Sequence, residues 1–125
     1  MAKIRDHRDL RVFQSARDAA MQIYEISRGF PRDEERALTS QIRRSSRAVC
    51  ANLAEGFQRR GYPASFAAKL VDAAAEADET RVWIDFALRC GFVTAQVAEE
   101  LEQRYDRILG ALVLMKANAK AWGIR

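Results

Sequence analysis

The chain has 125 residues, of which 49% are hydrophobic and 30% charged, and its formal net charge at pH 7 is +4. This balance is typical of a globular protein and excludes a disordered chain, and the length suits one domain with a single core. No apolar run approaches the ~18 residues that a membrane span needs, and the start lacks the apolar segment of a secretory signal, so we expect a cytoplasmic protein without a membrane partner.

Glycines and prolines divide the chain at three points. Each break contains a glycine (Gly29, Gly61 or Gly91), and the first two have a proline two residues later. We expect each glycine to adopt the left-handed conformation that ends a helix, and Thr94 to cap the fourth helix. No strand-like alternation competes with this pattern. The predicted helices of this single domain, 1–125, cover approximately residues 9–28, 34–60, 63–90 and 95–119.

Apolar residues recur at spacings of three and four within these segments, as in Val12, Ala16 and Ala19 of the first. This period is typical of a helix that buries one face. Helices of this length joined by short connections lie antiparallel to their sequence neighbours. The sequence therefore predicts an all-α fold, an antiparallel up-down-up-down four-helix bundle.

The second helix has two contrasting faces. Its predicted buried face consists of Leu38, Ile42, Ser45, Val49, Leu53 and Gly56. Arg36, Arg43 and Arg47 form a stripe on the opposite side, and Arg44 flanks that stripe. Because no Asp or Glu occurs between Arg36 and Ala54, these arginines have no acidic partner at the usual spacing within their own helix. Their counterions must come from elsewhere.

Basic residues are concentrated in the first half of the chain. Residues 1–62 hold 13 Lys and Arg against 8 Asp and Glu, whereas residues 63–125 hold 8 against 9. This asymmetry indicates a polyanionic partner, RNA or DNA, contacted mainly at its phosphates. The predicted nucleic-acid-binding residues are Arg36, Arg43, Arg44, Arg47, Arg59 and Arg60.

These arginines also have a second interpretation. They can face solvent or pair with acids of the third helix, since runs of charge usually form a solvated surface. Arg59 and Arg60 suit the negative C-terminal end of the second helix without any ligand.

Other polar residues point to structure rather than to catalysis. Gln41, Asn52 and Glu55 flank the apolar face of the second helix and predict a structural polar network that fixes helix packing. His7 is the only histidine, and Cys50 and Cys90 lie far apart within apolar sequence, which favours buried reduced thiols. We therefore expect no enzyme activity, no catalytic residue, no metal site and no cofactor.

The first, third and fourth segments carry more apolar residues than one core requires. Examples are Phe13 in the first segment, Val82 and Phe86 in the third, and Val113 and Leu114 in the fourth. A large core accounts for some of them, but a contiguous exposed apolar surface usually marks an interface. We therefore expect self-association into a homo-oligomer.

Several short motifs occur in the order and spacing of one protein family. They are Asp9-Leu10-Arg11-Val12-Phe13, Phe30-Pro31, Leu38-Thr39-Ser40-Gln41-Ile42-Arg43-Arg44-Ser45, Asn52-Leu53-Ala54-Glu55-Gly56 with Arg59-Arg60, and Glu79-Thr80. The chain resembles the small four-helix-bundle proteins encoded within intervening sequences of bacterial 23S rRNA genes. That family is similar to the accessory variability determinant of diversity-generating retroelements.

The resemblance implies a homopentamer with a basic surface and no catalytic residues. For the retroelement relatives it implies binding to nucleic acid and to a reverse transcriptase, so a structural or adaptor oligomer with a protein partner is the alternative function. Many relatives have a proline just before the Asn-Leu/Ile-Ala-Glu-Gly motif, where this chain has Cys50-Ala51. Without that proline, we expect the second helix to continue unbroken.

Overall fold

The computed structural model describes residues 4–123, and every regular element in that range is helical. The all-α prediction is confirmed. The four long helices are α1 (Arg11–Ser27), α2 (Leu38–Gln58), α3 (Pro63–Arg89) and α4 (Ala95–Ala117), and a short α5 (Ala119–Trp122) follows them. Two 3₁₀ turns, His7–Asp9 and Arg32–Glu34, precede α1 and α2. None of the helices within residues 4–123 is long and apolar enough to cross a membrane.

The helix boundaries follow local backbone chemistry. The Val97 amide donates a hydrogen bond to Thr94 Oγ1 over 3.1 Å, which confirms Thr94 as the cap of α4. By contrast, α2 begins at Leu38, later than the predicted residue 34. The 3₁₀ turn ends first, and Ala37 has φ −125° and ψ −104°, which departs from the helical path. Arg36 therefore lies in the connection and not on the helical stripe, so this part of the prediction is wrong.

The three glycines end their helices in different ways. Gly91 has φ +78°, the left-handed conformation expected of it. Gly29 and Gly61 do not have positive φ, so the prediction is wrong for both. At Gly29, for example, the amide donates to the Ile26 carbonyl over 3.1 Å in an ordinary turn. The prolines that follow these two glycines are sufficient to prevent helix continuation.

This difference predicts opposite tolerance at two exposed glycines. We expect Gly91→Ala to lower the free energy of unfolding by about 1 kcal/mol, because an L-residue is strained at positive φ. Gly61→Ala is the matched control, since a Cβ there would meet nothing within 4 Å, and it should stay within about 0.5 kcal/mol of the parent. Urea unfolding of both variants measures the effect. Equal stability of the two would contradict the assignment of strain to Gly91.

Each long helix contacts its sequence neighbours, and α4 also contacts α1. The six residues predicted for the buried face of α2 are all buried, and α2 continues unbroken as expected. Gly56 belongs to this face and allows α3 to approach closely, because a Cβ on it would lie 3.1 Å from Lys69 Cβ. The core is thus continuous between the four helices.

The predicted polar network of Gln41, Asn52 and Glu55 is not formed. Asn52 Nδ2 donates to the Ala48 carbonyl of its own helix, and Glu55 lies 3.1 Å from Lys69 Nζ. Gln41 makes no side-chain hydrogen bond within the described part of the chain. Gln41 lies about three turns before Asn52 along α2. Asn52 and Glu55 are only three residues apart, but each has another partner.

The buried polar contact between α2 and α3 lies elsewhere. Ser45 and Thr80 are both fully buried, and their hydroxyl oxygens are 2.8 Å apart. Thr80 Oγ1 is also 2.9 Å from the Glu76 carbonyl of its own helix. Because a buried hydroxyl is costly without a partner, this contact restricts how α2 and α3 can slide relative to each other.

Candidate nucleic-acid interface

The structure separates the six predicted arginines into groups with different surroundings. Arg43 and Arg47 lie over the ring of Tyr24 in α1, with guanidinium carbons 4.9 Å and 6.0 Å from the ring centre. Arg43 Nε also donates to Ser27 Oγ over 2.7 Å. None of the ion pairs formed within residues 4–123 includes Arg43 or Arg47. Their charges are oriented by α1 but are not neutralised by a nearby carboxylate.

Arg44 turns toward α3 instead. Its Nη2 lies 2.6 Å from Glu79 and 3.2 Å from Glu76, and these two contacts raise the pKa of Arg44. The Trp83 indole also donates to Glu79, over 3.2 Å. The second interpretation, pairing with acids of the third helix, is therefore confirmed for Arg44. This arginine links α2 to α3.

Arg59 and Arg60 lie at the C-terminal end of α2. Arg60 Nη1 donates to the Phe57 carbonyl over 2.9 Å, and its guanidinium lies 4.0 Å from the Phe57 ring centre. Arg59 lies 4.0 Å from Glu55, four residues earlier. The expected interaction with the negative end of the helix is confirmed for Arg60, which satisfies a terminal carbonyl.

The arginines of α2 that face α1, with those of the connection before α2, define what we call the α1–α2 basic surface. They are Arg32, Arg36, Arg43 and Arg47, of which Arg43 is half-buried and the others are exposed. Arg32 and Arg36 are exposed in the connection before α2. No ion pair of residues 4–123 includes either. Arg32 was not predicted as a site residue because it precedes the second helix. Its position directly after Pro31, in an exposed connection, is the signal that could have identified it. The apolar pattern also gave no sign of the role of Tyr24, whose ring supports two arginines.

The cysteines differ in burial. Cys50 is half-buried in α2, and burial raises the pKa of its thiol to about 11, so the thiol is protonated at neutral pH. Cys90 is exposed because it follows the last residue of α3, beyond the core. The prediction of buried thiols is therefore wrong for Cys90. Residues 4–123 contain no group of three or more His, Cys, Asp or Glu arranged to hold a metal ion.

A second surface runs along α3, which is apolar on two opposite sides. Its inner side contributes to the core, while Val71, Ala75, Val82 and Phe86 lie on the outer side at spacings that keep them in one row. We call these four residues the outer α3 stripe. Val82 and Phe86 are 48% and 52% exposed, which is unusual for residues of their size.

A third surface lies between α1 and α4. A cavity of about 180 Å³ has an apolar floor that includes Ile108, and its rim carries Arg11, Arg104 and Arg107. Within the described residues, none of these three arginines lies within 4.0 Å of a carboxylate. We call this cavity and its rim the α1–α4 groove. The exposed Val113 and Leu114 lie on α4, in the turn of helix after its floor.

Comparison with known proteins identifies the relatives of this fold. A solved structure of a protein of unknown function from the S23 ribosomal protein family of Bacteroides thetaiotaomicron is similar over 85% of this chain and 95% of its own. The TM-score is 0.76 and the sequence identity is 24%, so this likeness concerns the fold. No curated protein matches the chain. The family described as 23S rRNA-intervening sequence protein matches residues 8–113, and the chain therefore belongs to that family.

Proposed function

We propose that this protein is a non-enzymatic homo-oligomer that binds RNA or DNA through the α1–α2 basic surface, mainly by phosphate contacts. The observation that carries the proposal is a set of four arginines without a carboxylate partner among residues 4–123. Arg43 is also held in place by Ser27 and Tyr24. A cation fixed before binding loses little side-chain entropy when it meets a phosphate.

Of the six arginines predicted from the sequence, Arg36, Arg43 and Arg47 are assigned the phosphate contacts. Arg59 and Arg60 add charge at the far end of α2, where a long polyanion would reach them. Arg44 has its charge balanced by Glu76 and Glu79, so we assign it to the contact between α2 and α3.

We further propose that the four long helices form an antiparallel up-down-up-down bundle. The short connections between them, residues 28–37, 59–62 and 90–94, and the contact of α4 with α1 support this arrangement. In such a bundle α1 lies diagonally across from α3, and the face between α1 and α2 points away from the outer face of α3. The α1–α2 basic surface would then remain open when the outer α3 stripe is covered.

Self-association would cover the exposed apolar residues. We propose that the outer α3 stripe of one copy packs on the α1–α4 groove of the next, beside Val113 and Leu114. Asp78 and Asp85 flank the stripe and are held only by exposed pairs within α3, which are worth little. They would complement the unpaired arginines of the groove. Two different patches per subunit generate a ring when the rotation between neighbouring subunits closes, and the number five follows from the family resemblance.

The alternative function is a structural or adaptor oligomer whose basic surface holds an acidic protein partner, such as a reverse transcriptase. The pairing of Arg44 with Glu79 and Glu76 supports it, because it is an example of an α2 arginine that serves a protein contact. The cytoplasmic location expected from the sequence stays a prediction.

Reversing the charge of two arginines tests nucleic-acid binding. We expect Arg43→Glu plus Arg47→Glu to weaken binding to single-stranded RNA or duplex DNA at least tenfold without dissociating the oligomer. Parent affinity should fall steeply with salt, with a log–log slope of about −0.7 to −0.9 per phosphate contact, and the variant slope should be shallower. Fluorescence anisotropy at several salt concentrations measures both.

Lys116→Glu plus Lys120→Glu is the matched control, because it makes the same change in net charge. Both lysines are exposed, one in the last turn of α4 and the other in α5. Its affinity should fall much less. If both double variants lose the same affinity, the effect is due to net charge and not to the α1–α2 basic surface. If the parent does not bind nucleic acid, the adaptor function is favoured. Labelled RNA should remain full-length on a gel after the titration, since shortened RNA would contradict a non-enzymatic protein.

A further inference from the structure

A cavity of about 280 Å³ lies where the α1–α2 connection meets the first turn of α2. Arg28, Arg32 and Arg43 line it, together with Thr39 and one acid, Glu35. Arg43 directs Nε toward Ser27, so its two terminal nitrogens are left without a hydrogen-bond partner in the described residues. Arg28 is held only by an exposed contact of 3.5 Å with Glu25. Cationic donors thus outnumber the acid in this cavity.

Thr39 is a buried polar residue in the wall of the cavity. Only 7% of its surface is exposed, and its hydroxyl makes no hydrogen bond within residues 4–123. Neighbouring hydroxyls are satisfied: Ser40 Oγ donates to the Ala37 carbonyl over 3.1 Å. The side chain is nearly buried, but its hydroxyl is free to donate a hydrogen bond to a ligand in the cavity in place of water.

The first turn of α2 adds backbone donors to the same place. Ala37 occupies the N-cap position and supplies no side-chain cap. The Leu38 amide donates to Glu34 Oε1 over 3.2 Å, but the Thr39 and Ser40 amides have no acceptor among the described residues. No acid lies in the first turn of this 21-residue helix. Glu34 therefore satisfies one amide at the positive end of the helix dipole, and the amides of Thr39 and Ser40 remain available to an anion.

We propose that this cavity binds one phosphate group, held by the Thr39 hydroxyl, the free amides of α2 and the guanidinium groups of Arg32 and Arg43. This inference rests on the proposed function, since it names the group of the nucleic acid that the cavity takes. The phosphate is either a diester within the strand or a monoester at its end, and both present the same oxygen acceptors. Glu35 opposes binding, because its carboxylate lines the same cavity.

Titration of the full-length protein with inorganic phosphate, followed by amide NMR, tests the site directly. We expect the Thr39 and Ser40 amide signals to shift in a saturable manner. Thr39→Val and Arg32→Gln should each weaken phosphate binding about tenfold, as expected when a hydrogen bond to a charged group is lost. Glu35→Gln should tighten it. Arg107→Gln is the matched control for Arg32→Gln, and its phosphate affinity should equal that of the parent.

Two RNA oligonucleotides of the same sequence, one with a 5′-phosphate and one with a 5′-hydroxyl, separate the two sources of phosphate. If Thr39→Val weakens binding of both equally, the cavity holds an internal diester. If it weakens binding of the 5′-phosphorylated strand alone, the cavity holds the terminal group. Either result supports the site.

The outcomes distinguish this inference from the proposed function. Salt-dependent RNA binding that Thr39→Val leaves unchanged, with no saturable shift of the Thr39 amide in phosphate, would overturn the phosphate site and leave the function standing. A saturable phosphate shift that Thr39→Val removes, without RNA binding by the parent, would support the site and contradict nucleic-acid binding.

Discussion

Replacing Val82 and Phe86 with glutamate is expected to convert the proposed oligomer into a monomer while leaving the helices folded. Both side chains are about half exposed on α3 and lie outside the core cluster. In the proposed ring they would be buried against the next subunit, where an unpaired charge is strongly unfavourable. Light scattering after gel filtration measures the mass, and circular dichroism measures the helix content.

Met21→Glu is the control for this experiment. Met21 is 54% exposed on α1 and belongs to neither of the two patches proposed to meet, so this variant should keep the mass of the parent. If the parent is monomeric at micromolar concentration, the proposed subunit interface is contradicted. If the double variant remains an oligomer, the interface does not include the outer α3 stripe.

Loss of assembly has a consequence for nucleic-acid binding. A ring repeats the α1–α2 basic surface around one axis, so that weak phosphate contacts on several subunits act on one long polyanion. The monomeric variant keeps Arg43 and Arg47 and should bind a short oligonucleotide as the parent does. It should bind a long RNA much more weakly. Comparing short and long nucleic acid therefore separates the affinity of one basic surface from the gain that several such surfaces give together.

The helices were predictable because their signals are local. The apolar period of α2 predicted six of its nine buried residues, and the hydroxyl of Thr94 predicted the start of α4. The start of α2 was not predictable in the same way. Asp33 and Glu34 favour a helix start, yet they lie in the 3₁₀ turn Arg32–Glu34, and Arg32 and Thr39 line one cavity beside it. That turn depends on how the connection packs, which periodicity does not describe.

The site was predictable only in part, because its charges depend on which helix lies on each side of α2. Arg43 and Arg44 are adjacent in sequence and about 100° apart around the helix. One meets Tyr24 of α1 and the other meets Glu79 of α3. The acid-free sequence correctly indicated that α2 holds no counterion for them. The identity of the neighbouring helices then decided which charge is balanced.

The largest expected effects on stability come from two substitutions of Tyr105 with opposite signs. Tyr105 is fully buried in α4, and its hydroxyl has no hydrogen-bond partner in the part of the chain that the structure describes. Burial raises the pKa of this phenol above its usual value. Tyr105→Phe should raise the free energy of unfolding by about 1–2 kcal/mol, because it removes an unsatisfied buried hydroxyl and keeps the ring.

Tyr105→Ala should lower the free energy of unfolding by about 3–5 kcal/mol, because the lost ring leaves a cavity between the helices. Tyr62→Phe is the matched control, since Tyr62 is 75% exposed and its hydroxyl faces solvent. Urea unfolding at one fixed protein concentration compares the variants, because the proposed subunit association would make stability concentration-dependent. Destabilisation by Tyr105→Phe would mean that the hydroxyl has a partner in solution, and the packing of α4 would then depend on a polar contact rather than on the ring alone.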